Sequence, residues 1–301
     1  MSQIGFRKAE KSKVFLKIAL TGPSGAGKTF SALSIAKGMG KKVALIDTEN
    51  KSASLYADRF DFDTLNIDPP YTVQKYADAI KLATEAGYEV LIIDSISHVW
   101  AAEGGLLTKK EELDARGAGG DRKHKSHFAN WGAITKEHET FKAWLLKSNI
   151  HMICTMRSKQ EYVQDANGAV KKVGMAPVQR DGMEYEFTTV LDIAMNHSAS
   201  ASKDRTSIFD GQFITPSAET GKAFMKWLNS GKGELPTAKP KVNILERFYS
   251  EAKKVGYEGE KLALVVRERL GAKDIDSLAV EQMADVINFM KANPIKAVGA
   301  N

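Results

Sequence analysis

The chain has 301 residues, of which 43% are hydrophobic and 27% charged, and it carries a net charge of +6. This composition permits a packed core and excludes global disorder. No apolar run approaches the roughly 20 residues of a membrane span, and residues 1–13 lack the apolar run of a secretory signal. We therefore expect a cytoplasmic protein with no membrane partner. The excess of basic residues suits a polyanionic partner without requiring one.

The first two thirds of the chain alternate predicted strands and helices. Apolar runs predict strands over residues 14–20, 42–47, 62–67, 90–94 and 151–156. Helical periodicity predicts helices over residues 30–39, 72–86, 130–148 and 218–229. Two more strands are predicted over residues 188–195 and 206–209. Buried strands alternating with helices indicate an α/β fold, with a mostly parallel sheet flanked by helices.

Two long segments interrupt this alternation. Residues 103–127 are rich in Gly, Lys, Arg and His, and this composition predicts a long mobile loop. Residues 158–186 contain Asn167-Gly168 between two alternating arms. Because a type I′ turn needs two residues that tolerate positive φ, this pair predicts a β-hairpin.

Composition divides the chain into four parts. An N-terminal segment covers residues 1–13, and the predicted α/β core covers residues 14–229. Residues 230–240 contain Gly, Pro, Ser and Lys, which are typical of a linker. Residues 241–301 have helix-period apolar side chains and predict a small helical domain.

The strongest motif follows the first predicted strand and precedes a helix. Its residues are Gly22, Pro23, Ser24, Gly25, Ala26, Gly27, Lys28 and Thr29. They fit the P-loop pattern, in which glycines let backbone N–H groups cradle phosphates at a helix N-terminus. Lys28 should contact the β- and γ-phosphates, and the Thr29 hydroxyl should bind Mg²⁺. The sequence therefore predicts ATP and Mg²⁺ as ligands.

Two carboxylates follow neighbouring predicted strands. Asp94 ends the strand at 90–94 and suits the Walker B position, where a carboxylate meets the magnesium shell. A helix-capping role is its alternative. Glu49 follows the strand at 42–47 and opens onto the same carboxyl edge of the sheet. A carboxylate there can orient and deprotonate the attacking water.

Residues 14–228 resemble the core of the RecA/RadA ATPases. Asp47-Thr48-Glu49 followed by Tyr56 is similar to the segment in which a Glu activates water and a Tyr stacks on adenine. Residues 91–95 resemble the Walker B strand that ends in Asp-Ser. The resemblance implies that Glu49 is the catalytic base and that Tyr56 contacts adenine. Arg157 lies where this family has a polar sensor Gln, and we place it with Lys28 among the catalytic residues.

The two long segments lie where the RecA family carries its DNA-binding loops. The resemblance implies single-stranded DNA as a partner, with contacts from Lys109, Lys110, Arg116, Arg122, Lys123, Lys125, Lys171, Lys172 and Arg180. A basic, Gly-rich first loop is what phosphate contact requires. The second segment also carries acidic residues, and a solvated hairpin without function is its alternative.

Two further features resemble RadA-like assemblies. Lys203-Asp204-Arg205 is similar to a Lys-x-Arg pair presented to the nucleotide of a neighbouring subunit, although charged turns often have this composition. Phe6-Arg7-Lys8-Ala9 matches a short Phe-x-x-Ala docking motif. We expect self-association into a ring or filament, with ATP at the subunit interface. A single-strand-binding protein is a further expected partner.

Among compact versions of this core, the chain is similar to phage-encoded Sak-type ATPases. The similarity rests on residues 178–187 and on the small helical tail. It implies a DNA-dependent ATPase that promotes recombination through strand annealing or exchange. Two alternatives stay open: a helicase motor or loader, and a nucleotide-gated protein-binding ATPase without DNA.

Overall fold

The computed structural model describes residues 6, 8–40, 42–117, 126–164, 170–235, 244–272, 275, 278 and 280–295. The chain divides into two compact units, Met1–Ala238 and Lys239–Asn301. Within these described ranges, no helix combines the length and the apolar character that a membrane crossing requires.

In the described part of the first unit, nine strands form one sheet. They are β1 (Lys17–Gly22), β2 (Val43–Asp47), β3 (Asp63–Asn66), β4 (Val90–Asp94), β5 (His151–Gln164), β6 (Val170–Pro177), β7 (Thr189–Ile193), β8 (Ala199–Asp204) and β9 (Phe213–Ile214). The order is β3-β2-β4-β5-β1-β7-β8-β9, and β6 pairs with β5. The strands from β3 through β7 in this order run parallel, whereas β6, β8 and β9 pair antiparallel. The mostly parallel α/β fold is therefore confirmed.

The helices cover both faces of this sheet. They are α1 (Lys28–Met39), α2 (Val73–Glu85), α3 (His98–Ala101), α4 (Leu106–Gly117), α5 (Ser126–Lys147) and α6 (Ala218–Asn229). Alternate strand residues point to opposite faces. Ile93 therefore joins a core with Tyr76 of α2 and Phe141 of α5, while Ile92 joins a second core with Leu33 of α1 and Phe224 of α6.

The second unit contains three described helices: α7 (Ile244–Lys254), α8 (Glu260–Leu270) and α9 (Val280–Ala292). They enclose their own core, which includes Phe248, Leu262, Val286 and Met290. The Tyr257 hydroxyl donates to the Asn293 carbonyl (2.6 Å) and fastens the end of α9 to the chain after α7.

The predicted mobile loop at 103–127 is wrong for residues 106–117, which form α4. Leu106 is buried, and Leu107 and Leu113 pack against the same core. Ion pairs from Lys109 to Glu137 and from Lys110 to Asp114 offset the basic charge that suggested a loop. Residues 118–125 lie outside the described part of the chain.

The predicted hairpin is confirmed, because β5 extends to Gln164 and pairs antiparallel with β6. Asn167 and Gly168 themselves lie outside the described residues. The predicted strand over 206–209 is wrong, since these residues form a turn after β8. Asp204 organises that turn: its Oδ1 accepts the backbone N–H of Thr206 and its Oδ2 that of Phe209, both at 2.8 Å.

Candidate functional site

The P-loop lies between the end of β1 and the start of α1. Gly25 and Gly27 have φ values of +81° and +84°, in the left-handed region that favours glycine. A Cβ on Gly22 would lie 2.6 Å from the Ile193 carbonyl oxygen, so this position also requires glycine. The turn brings residues 22–29 together at a helix N-terminus, which is the geometry for binding phosphate.

Lys28 lies across this turn. Its Nζ donates to the carbonyl oxygens of Gly22 (2.9 Å) and Pro23 (2.8 Å). Burial lowers the pKa of Lys28, while the nearby charges of Asp94 and Glu49 partly oppose that shift. The ammonium group is thus already inside the phosphate cradle, next to two carboxylates.

Thr29 and Asp94 form the oxygen-rich part of the site. The Thr29 hydroxyl donates to Asp94 Oδ2 and the Thr155 hydroxyl donates to Asp94 Oδ1, each at 2.5 Å. Burial raises the pKa of Asp94, and these two hydrogen bonds counteract part of the rise. A hydroxyl and a carboxylate at a strand end are hard oxygen donors, so the residues present fit Mg²⁺.

Glu49 is oriented by the turn that follows β2. Asp47 Oδ1 accepts the Glu49 backbone N–H (2.6 Å), and Asp47 Oδ2 accepts that of Ala53 (2.9 Å). Asn50 and Lys51 take the positive φ values that the turn needs. The side chain of Glu49 consequently faces the neighbouring strand ends β4 and β5.

Arg157 binds the Glu49 carboxylate through two hydrogen bonds. Its Nε donates to Oε1 (2.8 Å), and a terminal guanidinium nitrogen donates to Oε2. Burial acts to raise the pKa of Glu49, but the hydrogen bonds and charge of Arg157 outweigh it and the pKa is lowered. The structure thus brings these two predicted catalytic residues together.

His98 and Thr48 complete the site, although neither was predicted from the sequence. His98 Nδ1 lies 2.6 Å from Thr48 Oγ1, and His98 Nε2 lies 3.9 Å from Glu49 Oε1. Burial and the Arg157 charge lower the pKa of His98. The signal available in the sequence was a His four residues after the Walker B Asp, one turn into the following segment.

His197 is a second site residue that the sequence analysis missed. Its ring Nδ1 lies 3.0 Å from the Ala26 carbonyl oxygen, and it would meet a Cβ on Gly27 at the same distance. The turn between β7 and β8 therefore packs against the P-loop. Its only sequence signal was a polar turn after a buried strand.

Tyr56 lies in a 3₁₀ turn, Ser52–Tyr56, beside the start of α1. Its ring packs edge-on against Phe30 with ring centroids 5.8 Å apart, and Phe30 packs on Phe60 at 5.2 Å. Phe30 directly follows the P-loop Thr29. The aromatic group expected to contact adenine is thus adjacent to the phosphate cradle.

The predicted DNA-binding residues fall into three groups. Lys109, Lys110 and Arg180 have protein partners, since Arg180 donates to Thr135 Oγ1 (3.0 Å) and both lysines form ion pairs. Arg116 lies in α4 and Lys171 and Lys172 lie in β6, but their side chains are outside the described part. Arg122, Lys123 and Lys125 lie outside the described residues altogether.

Lys203 and Arg205 lie together at the other end of the sheet from the P-loop. Both side chains donate to the Tyr185 carbonyl oxygen, Arg205 at 3.2 Å. Asp204 pairs in register with Thr189, which pairs with Ile18 near the start of β1. The pair does not precede a strand, as the sequence had indicated, because Lys203 is part of β8 itself.

A comparison with protein-family models matches residues 15–213 to the AAA_24 family, which is described as an AAA domain. No curated protein matches the chain. The matched region contains the P-loop, Glu49, Asp94 and Arg157, and it makes up about two thirds of the chain. The chain therefore belongs to this family of AAA-type P-loop ATPases.

Proposed function

We propose that this protein is a Mg²⁺-dependent ATPase that binds single-stranded DNA and promotes recombination by strand annealing or exchange. The observation that carries the proposal is the Glu49–Arg157 pair. Glu49 follows β2 at the nucleotide site, and Arg157 lies in β5 where the strand leaves the parallel sheet to form the hairpin with β6. One ion pair therefore connects the expected base to the segment expected to contact DNA.

Each residue of the site has a separate proposed role in hydrolysis. Backbone N–H groups of the P-loop and Lys28 bind the phosphates of ATP. Thr29 and Asp94 would hold Mg²⁺, which would neutralise charge on these phosphates. Glu49 orients the attacking water and takes its proton. Before it can do so, its carboxylate has to be released from Arg157, which occupies both of its oxygens.

Two connections supply the proposed DNA surface. The α4–α5 connection follows β4 through α3 and α4, and the hairpin extends β5 directly. Because β4 and β5 are adjacent and parallel, the chain toward α3 and α4 and the hairpin both leave from the carboxyl edge that carries the P-loop. Since Lys109, Lys110 and Arg180 have protein partners, we assign the main phosphate contacts to Arg116, Arg122, Lys123, Lys125, Lys171 and Lys172.

Self-association is the second part of the proposal. Lys203 and Arg205 lie two strands away from β1 and, measured along the strands, about four residues or roughly 13 Å from the P-loop, at the opposite end of the sheet. We propose that they serve the nucleotide of a neighbouring subunit in a ring or filament. Phe6 is fully exposed and suits docking onto such a neighbour. We also propose that a single-strand-binding protein is a partner and that the role is like that of the Sak-type ATPases. The proposed location is the cytoplasm of a bacterial host.

The first test is ATP hydrolysis with and without single-stranded DNA across a salt series, with DNA affinity measured in the same buffers. We expect affinity that falls steeply with salt and turnover that rises with DNA. Hydrolysis without any DNA binding at low salt would favour the nucleotide-gated protein-binding alternative. Strand displacement on a forked duplex would favour a helicase motor or loader.

Charge reversal sharpens this test. Lys123→Glu with Lys125→Glu should lower DNA affinity by at least about tenfold and reduce the salt slope by about two. The matched control is Lys81→Glu with Lys226→Glu, an equal charge change on exposed positions of α2 and α6. Equal loss of affinity in both pairs would mean that net charge, and not this segment, governs binding.

A further inference from the structure

His98 is held rigidly beside the nucleotide site. The residue is 8% exposed, and its ring stacks on Tyr71, with ring centroids 4.9 Å apart and an interplanar angle of 26°. The Tyr71 hydroxyl donates to the Thr48 carbonyl (3.3 Å), so the stacked ring is itself fastened to the turn after β2. The imidazole therefore has little freedom to rotate.

Thr48 fixes one ring nitrogen of His98. Its hydroxyl oxygen accepts the Ser95 backbone N–H (2.8 Å) and lies 2.6 Å from His98 Nδ1. The hydroxyl also lies 3.1 Å from the Asp94 carbonyl oxygen and 3.3 Å from that of Ser95, but His98 Nδ1 is the nearest of these three acceptors. When the Thr48 hydroxyl donates to Nδ1, the imidazole proton is on Nε2. Nε2 is the nitrogen that faces Glu49 Oε1, at 3.9 Å.

Glu49 Oε1 is also the oxygen that Arg157 Nε binds. If Arg157 is displaced, this oxygen loses a strong donor, and a free carboxylate would rotate and lose its alignment with the water. Among the described residues, His98 Nε2 and the Ser95 hydroxyl, 3.4 Å from Oε1, are neighbours that can hold it. Of these two donors, the imidazole is fixed on its face by Tyr71 and on its other nitrogen by Thr48.

We propose that His98 is a positioning residue for Glu49, which donates from Nε2 to the carboxylate during hydrolysis, when Arg157 does not. The inference rests on the proposed role of Glu49 as the base. Neutral His98 keeps the carboxylate oriented while leaving it basic. Protonated His98 would place a full positive charge against the carboxylate and reduce its basicity.

The charged and titratable groups around His98 give the sign of the pH effect. They are Glu49 and Asp47 from β2 and its turn, Arg157 from β5, and Tyr71 from the segment before α2. Burial and Arg157 lower the pKa of His98, and the two carboxylates oppose this shift. His98 is therefore neutral at pH 7 and becomes charged as the pH falls.

Two substitutions separate positioning from packing. His98→Asn keeps a polar group near the Nδ1 position but removes the group facing Glu49, whereas His98→Gln places an amide N–H near the Nε2 position. We expect His98→Asn to lower kcat for ATP about tenfold with KM nearly unchanged, and His98→Gln to keep kcat within roughly threefold. In His98→Gln, the acid limb of the kcat profile should move to lower pH, because only Glu49 still titrates.

The double variant with Glu49→Gln identifies the route of the effect. If His98 acts through Glu49, adding His98→Asn to Glu49→Gln should cause no further loss of kcat. Any of three results would overturn the proposal. They are a wild-type kcat in His98→Asn, an additive loss of kcat in the double variant, and an unchanged acid limb in His98→Gln. Full turnover in Glu49→Gln alone would instead overturn the assigned base, so the two failures are distinguishable. If His98→Asn fails to fold, the pH profile of His98→Gln still tests whether His98 positions Glu49.

Discussion

Arg157 binds both oxygens of the Glu49 carboxylate and at the same time begins the β5–β6 hairpin. Its Nε lies 2.8 Å from Glu49 Oε1. Its backbone N–H donates to the Ser97 hydroxyl (2.9 Å), and its carbonyl accepts the N–H of Val178 at the other end of the hairpin (2.6 Å). A change in the base of the hairpin would therefore alter the partner of the expected catalytic carboxylate.

Glu49→Gln tests the assigned base directly. The amide cannot take a proton from water, so we expect turnover to fall by at least about 100-fold. Lys28 and the P-loop glycines are unchanged, so ATP should bind with near wild-type affinity. Steady-state hydrolysis and equilibrium nucleotide titration measure the two quantities separately.

Glu111→Gln is the matched control for this substitution, because Glu111 lies exposed on α4. It removes the same charge without touching the site and should leave turnover unchanged. If Glu49→Gln hydrolyses ATP at the wild-type rate, another group must activate the water.

Arg157→Gln should change the pH dependence of hydrolysis. The Arg157 hydrogen bonds and charge lower the pKa of Glu49, so their removal raises that pKa toward or above its ordinary value. The base then becomes protonated at higher pH, and the acid limb of kcat/KM moves to higher pH. A pH–rate series on both proteins measures the shift.

Because Arg157→Gln frees the carboxylate from the hairpin, we also expect its hydrolysis to depend less on DNA than that of the wild type. Arg267→Gln serves as the control, since it makes the same change at an exposed position of α8 to which no role in hydrolysis is assigned. An acid limb that stays in place would show that Arg157 does not control the protonation of Glu49.

The sequence predicted the parts of the site that depend on one local pattern. The P-loop needs glycines at fixed spacing, and Asp94 ends a continuous apolar strand, so both could be found from the chain alone. Glu49 and Arg157 could be placed at the same sheet edge, but their ion pair depends on the strand order β2-β4-β5. His98 acquires its role only from contacts with Thr48, Glu49 and Tyr71, which come from other elements.

The two wrong predictions have related causes. α4 was missed because its charged residues resemble those of a loop, and the ion pair between Lys109 and Glu137 joins residues far apart in the chain. β8 was displaced by several residues because its sequence, Ala-Ser-Ala-Ser-Lys-Asp, has no large apolar side chain. Pairing with β7 and β9, rather than local propensity, makes it a strand.

His151 should make the stability of the first unit depend on pH. Leu16 donates its backbone N–H to His151 Nδ1 (3.1 Å), and burial, with the nearby Lys17 charge, lowers the pKa of His151 from 6.5 to about 4. Between these values the unfolded chain binds the proton and the folded chain does not. The free energy of unfolding should therefore fall as the pH falls from 6.5 to 4, by about 3 kcal/mol from this group, and level off below.

His151→Asn isolates that contribution, because the amide oxygen can accept the Leu16 N–H and does not titrate. Denaturant unfolding at several pH values should give a shallower slope for the variant between pH 6.5 and 4. Parallel curves for the two proteins would assign the pH dependence to other groups, such as His98 and His138, whose pKa values burial also lowers.

Gly221→Ala should destabilise the packing of α6 on α1. A Cβ at Gly221 would lie 2.1 Å from the Ile35 carbonyl oxygen, and one at Gly38 would lie 1.9 Å from that of Ala218. Backbone atoms cannot move aside as a flexible side chain can, so the two helices must separate. We expect a loss of at least about 2 kcal/mol in the free energy of unfolding.

Gly132→Ala is the matched control, because Gly132 lies exposed in α5 with no other residue's heavy atom close to the added methyl group among those described. There the better helix propensity of alanine should stabilise the protein by about 0.5–1 kcal/mol. Opposite signs for the same substitution in two helices would establish the close approach of α1 and α6, whereas equal effects would contradict it.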